Sequence, residues 1–202
     1  MKAAARPCAR TRAASVAVDL GIGYILHFVS DILASAAEKV LAVRSSWAQE
    51  NPATLAALVR AHGRAAAFIE DVRNRDEVCA LLATPNRVGV AAEVIRRTLD
   101  GRLKVSPDGL VRESERYLRI GRAGAARPDP IQAAWLYGQM VRWRQTSFSP
   151  EGLAAAQHVF RPDLYDSILG PPPAPPAGEP RDHVGAFAGL PFDPAEFARS
   201  TS

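Results

Sequence analysis

Lys39 is the side chain of this sequence whose setting most directly predicts binding chemistry. It follows Glu38 and precedes Val40 and Leu41 in an otherwise apolar stretch. An ammonium at the edge of a strand can present a compact positive charge to an oxyanion. The residues alone favour a simpler interpretation, in which Lys39 extends into solvent or pairs with a carboxylate.

The other groups that could do chemistry lack the spacing that catalysis or metal binding requires. The four histidines are scattered and form no metal-ligand pattern. Paired carboxylates such as Asp76-Glu77 and Glu113 with Glu115 lie in polar stretches, which is typical of a solvated face. Gly21-Ile22-Gly23 lacks the third glycine of a dinucleotide-binding motif. We therefore predict a protein that is not an enzyme and that needs neither metal nor cofactor.

Two further sets of residues have both a functional and a structural interpretation. Trp135, Tyr137 and Trp143 could form an aromatic platform for a ligand, but their place on an amphipathic helix favours core packing. Cys79 lies on the apolar face of a predicted helix, where a free thiol behaves as a small hydrophobe. With Cys8 as the second cysteine, the chain has no disulfide framework.

The charge pattern argues against nucleic acid and membrane as partners. The net charge of +4 arises in the first twelve residues, which hold four basic residues and no acidic one. The rest of the chain mixes both signs, whereas a nucleic-acid binder concentrates its cations on one face. Residues 13–34 are apolar, but Asp19 and Asp31 interrupt them, so we predict neither a signal peptide nor a membrane span. The sequence as written therefore predicts a cytoplasmic protein.

The elements that must position these residues form an α/β pattern rich in helices. We predict a disordered basic arm over 1–14, a folded region over 15–170, and a Pro-rich linker with a C-terminal tail over 171–202. The strands are expected within 15–43, as two short buried strands over 15–29 and one over 39–43. The predicted helices are near 52–70, 75–83, 90–99, 130–145 and 151–160. A loop or hairpin turns at 107–109.

Several segments together resemble one protein family, the nitrate/bicarbonate substrate-binding proteins of ABC importers and their soluble nitrate-sensing relatives. The segments are Glu38-Lys39-Val40-Leu41 with Trp47-Ala48 and Asn51-Pro52, then Asn74-Arg75-Asp76-Glu77-Val78, Val94-Ile95-Arg96, Leu99-Asp100-Gly101, Gln139-Met140, Arg142-Trp143 and Val159–Tyr165. The resemblance is to the C-terminal region of that family. It implies a helix-rich partial second lobe of a type II periplasmic-binding-protein fold, with the first lobe missing.

The resemblance also implies a function. In that family a lysine of the Glu-Lys-Val-Leu segment reaches a small anion from the second lobe, and Lys39 is the matching residue. The implied partners are a nitrate, nitrite or bicarbonate ion and, beyond it, ABC transporter membrane subunits or a regulatory protein. Transporter members of the family are periplasmic or membrane-associated. The Gly-Glu-Pro-Trp segment of the family is replaced here by Arg10-Thr11-Arg12-Ala13.

Two other functions stay open. A ligand-free helical interaction module, derived from such a binding protein, would keep a partner surface without the anion site. An enzymatic role is conceivable because the same superfamily includes pyrimidine-precursor synthases, but no His/Cys constellation supports it. A second lobe without its first lobe would expose an apolar face, so we also expect self-association.

Overall fold

Helices dominate the residues that the computed structural model describes, which are 10–121, 124–171, 184–186 and 191–201. The α-helices of these residues are α1 (Arg10–Asp19), α2 (Ser45–Glu50), α3 (Pro52–Glu70), α4 (Arg75–Ala83), α5 (Ala92–Leu99), α6 (Pro130–Arg142), α7 (Pro150–Val159), α8 (Pro162–Leu169) and α9 (Pro194–Thr201). Short 3-10 turns occupy Val29–Asp31 and Val72–Asn74. The strands are β1 (Leu33–Ser35), β2 (Arg102–Lys104), β3 (Val111–Glu113) and β4 (Gly185–Ala186).

The chain divides into two compact units. The first unit contains the described residues as far as Val29 together with Asp71–Arg119. The second unit contains Ser30–Glu70 and the described residues from Ile120 onward. Strands β2 and β3 form an antiparallel hairpin in the first unit, and β1 pairs with β4 in the second.

The first unit is built around the β2–β3 hairpin. Phe28, Leu103 and Val105 form a buried cluster, against which Ile25 and Tyr117 pack. The rings of Phe28 and Tyr117 meet edge to face with their centroids 5.0 Å apart, an arrangement that aromatic quadrupoles favour. This cluster fixes the residues that follow α1 onto the hairpin.

Close packing of small residues organises α6 in the second unit. Ala133, Ala134 and Gly138 are its buried residues. The absence of a side chain at Gly138 leaves room for the rings of Phe192 and Phe197, each of which would lie 3.5 Å from a Cβ there. The described part of the C-terminal tail, α9 and the residues just before it, therefore packs against α6. The linker itself lies outside the described residues except for Pro171.

Proline after a capping residue marks the start of several helices. Asp129 accepts a hydrogen bond from the Ile131 N–H at the start of α6, and Ser149 accepts one from the Gly152 N–H at the start of α7. Proline is the first helical residue in both, where its missing N–H costs no intrahelical bond. The predicted helices near 52–70, 75–83, 90–99, 130–145 and 151–160 are all confirmed within a few residues.

The predictions for residues 15–43 were largely wrong. The stretch 15–19, predicted as strand, ends helix α1, and Arg10–Ala14, predicted as part of a disordered arm, begins it. Ser15 and Val18 are buried and lie three residues apart, as one face of a helix requires. Residues 39–43 form no strand and all five are exposed. Only the three residues of β1 form a strand in this region.

Candidate functional site

Gln132 of α6 anchors the segment that leads to Lys39. Its side-chain Oε1 accepts a hydrogen bond from the backbone N–H of Ala37 at 2.5 Å, and its Nε2 donates to Ser35 Oγ at 3.2 Å. Ser35 ends β1, which pairs with β4. The chain is thus held on α6 immediately before Glu38 and Lys39, over a sequence separation that no local pattern could reveal.

Lys39 itself is exposed and lies between β1 and α2 in irregular chain. Within the described part of the molecule, no carboxylate lies within ion-pair distance of its ammonium. The residues alone favoured a lysine that extends into solvent or one that pairs with a carboxylate. The exposure of Lys39 agrees with the first, and the described residues do not form the second. The ammonium keeps its donors available to an anion from solution.

Tyr137 and Trp143, within and just after α6, have different surroundings. The hydroxyl of Tyr137 accepts a hydrogen bond from the Ser149 N–H at 2.9 Å and donates to the Ser147 carbonyl at 3.1 Å, so it fastens α7 to α6. Trp143, which we predicted to pack in the core, is 69% exposed. The Arg142 guanidinium lies 5.7 Å from the centroid of the Trp143 ring, which gives this exposed indole a cation–π contact.

The carboxylate pairs lie on solvated surface, as predicted. Asp76 forms an ion pair with Arg96, and Glu113 forms one with Arg102 across the hairpin at 2.9 Å. Both side chains of the second pair are about two-thirds exposed, at 65% and 67%. Exposed pairs of this kind contribute little to stability.

A cluster of charges that the sequence did not reveal joins α1, α5 and β2 in the first unit. Asp19 accepts from Arg97 at 2.6 Å and lies 3.6 Å from the ammonium of Lys104. Ser15, Val94 and Thr98 complete the crevice beside these cations. Its net charge of one positive unit suits an anion, but the crevice is too narrow to admit a water molecule. We therefore assign the cluster to the packing of α1 on α5 and β2.

Metal and thiol chemistry have no support in the residues that can be described. No group of three or more His, Cys, Asp or Glu side chains is placed there to hold a metal ion. Cys79 is a free, buried cysteine, as predicted. Desolvation by burial raises the pKa of its thiol, which keeps it in the unreactive protonated form. Among the same residues, none of the helices is long and apolar enough to span a membrane.

Sequence comparison finds that this chain is similar to proteins of nitrate uptake. Residues 14–83 match the NMT1-like family. The chain is 30% identical to the nitrate import ATP-binding protein NrtC of Synechococcus elongatus over 181 residues. This match covers 89% of this chain and 27% of that protein. It is 27% identical over 180 residues to the nitrate/nitrite binding protein NrtA of the same organism, covering 88% of this chain and 41% of the relative.

A solved structure shares the fold of this chain. The crystal structure of the periplasmic nitrate-binding protein NrtA from Synechocystis PCC 6803 superimposes with a TM-score of 0.78 at 22% identity, over 94% of this chain and 51% of that one. The chain is related to the nitrate/bicarbonate-type substrate-binding proteins. The predicted fold class, a helix-rich α/β part of a periplasmic-binding-protein fold, is confirmed. The chain spans between about a quarter and two-fifths of the curated relatives described above.

Proposed function

We propose that this chain binds a small oxyanion such as nitrate, nitrite or bicarbonate, as part of the solute-binding component of an ABC importer or of a related nitrate sensor. The observation that carries the proposal is the sequence similarity to two nitrate proteins over almost nine-tenths of the chain. Binding rather than catalysis is proposed because no catalytic constellation is assembled in the described residues. The membrane subunits of such an importer, or a regulatory protein, are the proposed macromolecular partners.

Lys39 is the residue that we propose to contact the anion. Its ammonium is exposed and has no carboxylate competing for it in the described residues. The Gln132 side chain accepts from the Ala37 backbone N–H and donates to the Ser35 hydroxyl, so the segment before Lys39 has a defined position although Lys39 itself lies in irregular chain. An oriented cation loses less conformational entropy on binding than a cation on a loose loop. We propose Gln132 as the residue that positions Lys39.

Lysine-specific NMR tests this assignment directly. The chain contains three lysines, Lys2, Lys39 and Lys104, and reductive methylation with ¹³C-formaldehyde labels each of them while keeping its charge. Titration with nitrate, nitrite and bicarbonate should shift the Lys39 signals, with half-saturation at about 1 mM or above because one donor supplies at most about 4 kcal/mol. Chloride at equal ionic strength is the salt control.

The signals of Lys104 provide an internal control, because that ammonium already faces Asp19. Lys39→Arg and Lys104→Arg variants assign the resonances. Lys39→Ala should abolish the binding heat seen by calorimetry, and Gln132→Ala should reduce the Lys39 shift several-fold without removing the signal. The proposal is wrong if chloride moves Lys39 as far as nitrate does, or if Lys39→Ala binds as the unmodified chain does.

The alternative function, a helical interaction module without a ligand, is favoured by one feature of α6. Leu136, Met140 and Trp143 recur at helical spacing on one face and are 44%, 44% and 69% exposed. Such a row is what a helix presents to an apolar groove of a partner. This function would be favoured over anion binding by two results together. The NMR titration would show no response to the anions, and the Trp143→Lys variant would no longer bind a partner protein that the unmodified chain binds.

A further inference from the structure

The apolar segment 20–29, which follows α1 in the first unit, exposes large side chains to solvent. Five of its ten residues are large, apolar and between 51% and 77% exposed, namely Leu20, Ile22, Tyr24, Leu26 and Val29. At roughly 100 Å² each they offer roughly 500 Å² of apolar surface. That is at the upper end of what a soluble monomer exposes in one patch, and patches of this size are typical of interaction sites.

The end of α1 holds one of these side chains in the open. Gly21 has φ +74°, and its N–H donates to the Val18 carbonyl at 3.1 Å. The Ile22 N–H donates to the Ala17 carbonyl at 2.9 Å. These two bonds form the Schellman motif that closes many helices. The apolar contact that often accompanies this motif does not bury Ile22, which is 77% exposed. A hydrogen-bonded turn therefore presents Ile22 to a partner.

The rest of the segment is apolar on both sides, but only one side is covered. Ile25 and Phe28 pack in the buried cluster beside the β2–β3 hairpin. Tyr24 and Leu26 are open to solvent, and their N–H groups have no hydrogen-bond partner among the described residues. Chain that is apolar on both sides is typical of a segment that a fold covers on both. We expect a partner that covers the open side.

Comparison with the solved structure points to the occupant. NrtA superimposes on 94% of this chain, but this chain covers only 51% of NrtA. The apolar segment lies within residues 14–83, which match the NMT1-like family, so it belongs to the shared fold and is no addition to it. We propose that the apolar segment is the docking surface for the part of a periplasmic-binding-protein fold that this chain does not cover.

The composition of the segment restricts the occupant in the same direction. It contains no Lys or Arg, so it lacks the cations with which proteins bind nucleic acid or anionic lipid. Its exposed side chains need an apolar counterpart, which the interior of a fold provides. Burial of roughly 500 Å² on each partner gives roughly 1,000 Å² in total, the lower limit for a specific complex.

Co-purification with the full chain tests the proposal. The probe is the portion of Synechocystis PCC 6803 NrtA on which this chain does not superimpose, co-expressed as a separate polypeptide with the tagged chain and without added anion. We expect the two polypeptides to co-purify in equal molar amounts, with a Kd in the micromolar range or tighter. The amides of Tyr24 and Leu26 should then exchange with deuterium at least tenfold more slowly than in the chain alone.

Lysine substitutions test whether the apolar segment carries the association. Ile22→Lys and Leu26→Lys should each raise the Kd at least tenfold, because docking would bury an ammonium among apolar groups. Both side chains are 77% exposed, so neither substitution disturbs the packing of the chain itself. Val72→Lys is the matched control, since Val72 belongs to the same unit and is 72% exposed. It should change the Kd less than twofold.

The proposal is overturned if the NrtA portion does not co-purify, or if Val72→Lys weakens the association as much as Ile22→Lys does. It is also overturned if the chain alone forms an oligomer that Ile22→Lys dissociates, because a second copy then occupies the surface. The inference goes beyond the proposed function, since it rests on the shared fold and not on anion binding. Association with the NrtA portion while Lys39 shows no response to anions would leave it standing and refute the proposed function.

Discussion

Replacing Gly101 by alanine should destabilise the first unit far more than the same change at Gly109, although both glycines have positive φ. Gly101 follows α5 with φ +66°, and a Cβ there would lie 2.3 Å from the Ser114 carbonyl oxygen. The Ser114 N–H in turn donates to the Gly101 carbonyl at 2.8 Å, so this backbone cannot retreat without losing a hydrogen bond. Gly109, at the hairpin turn with φ +99°, has no atom within 4 Å of such a Cβ.

The magnitudes follow from separate physical terms. A left-handed conformation costs alanine about 1–2 kcal/mol, and the reduced entropy of the unfolded chain returns about 0.4–1 kcal/mol. Gly109→Ala should therefore lower the free energy of unfolding by about 1 kcal/mol. At Gly101 the steric conflict adds about 1–3 kcal/mol, and a strained or lost hydrogen bond adds about 1 kcal/mol. The expected total for Gly101→Ala is about 3–5 kcal/mol.

Urea unfolding followed by far-ultraviolet circular dichroism measures both losses, and equal m-values would show that the comparison is one of stability. The expected outcome is a difference of at least about 2 kcal/mol between the two variants, the sum of the two added terms at Gly101. Equal losses would refute the reasoning, because they would mean that the Ser114 carbonyl moves aside at no cost.

Two further predictions concern the second unit. Arg144, with φ 57°, occupies the left-handed position after α6, where the Arg144 and Gln145 N–H groups donate to the Val141 and Met140 carbonyls. Arg144→Gly should therefore raise the free energy of unfolding by about 0.5–1 kcal/mol. Arg142→Gly, inside the helix, should lower it. Urea titrations of both variants should show these opposite signs, and a loss of stability in both would contradict the prediction. The hydrogen bond from Arg161 lowers the pKa of Asp163 to about 2. A depressed carboxyl pKa stabilises the fold above the unfolded value near 4, and the effect disappears as pH falls towards 2. Melting temperatures between pH 5 and pH 2 should fall less steeply in Asp163→Asn and in Arg161→Gln than in the unmodified chain, and unchanged slopes in both would contradict the assignment.

Helix starts were the part of this fold that local chemistry made predictable. A capping residue followed by proline restricts the chain so strongly that tertiary context seldom overrides it, as at Asp129-Pro130 and Ser149-Pro150. The turn at 107–109 was predictable for the same reason, since Gly109 has positive φ between β2 and β3. In each case the relevant physics lies within a few residues.

The failures lie where distant residues decide the structure. The valines within 15–19 favoured strand, but β-branched preference is a weak term, and burial of Ser15 and Val18 on one face made the segment helical. The Gln132 contacts to Ser35 and Ala37 and the pairing of Asp19 with Arg97 span 78 to 97 residues along the chain. No periodicity or motif in the sequence predicts contacts between residues so far apart. Lys39 was selected by its resemblance to a family and not by the spacing of residues.

The exposure of Lys39 limits what this lysine can contribute by itself. Two unit charges 4 Å apart attract by about 1 kcal/mol in water and by about 4 kcal/mol near a protein surface of lower effective dielectric constant. An exposed ammonium is closer to the first case, and salt screens it further. Tight and selective capture of an oxyanion therefore requires additional donors and exclusion of water around Lys39. Gln132 does not provide such a donor, because its amide is bonded to the Ala37 N–H and the Ser35 hydroxyl. Affinity that is millimolar or weaker, with a clear dependence on Lys39, is thus the result that the geometry favours. Micromolar affinity of the isolated chain would mean that donors other than Lys39 dominate the site.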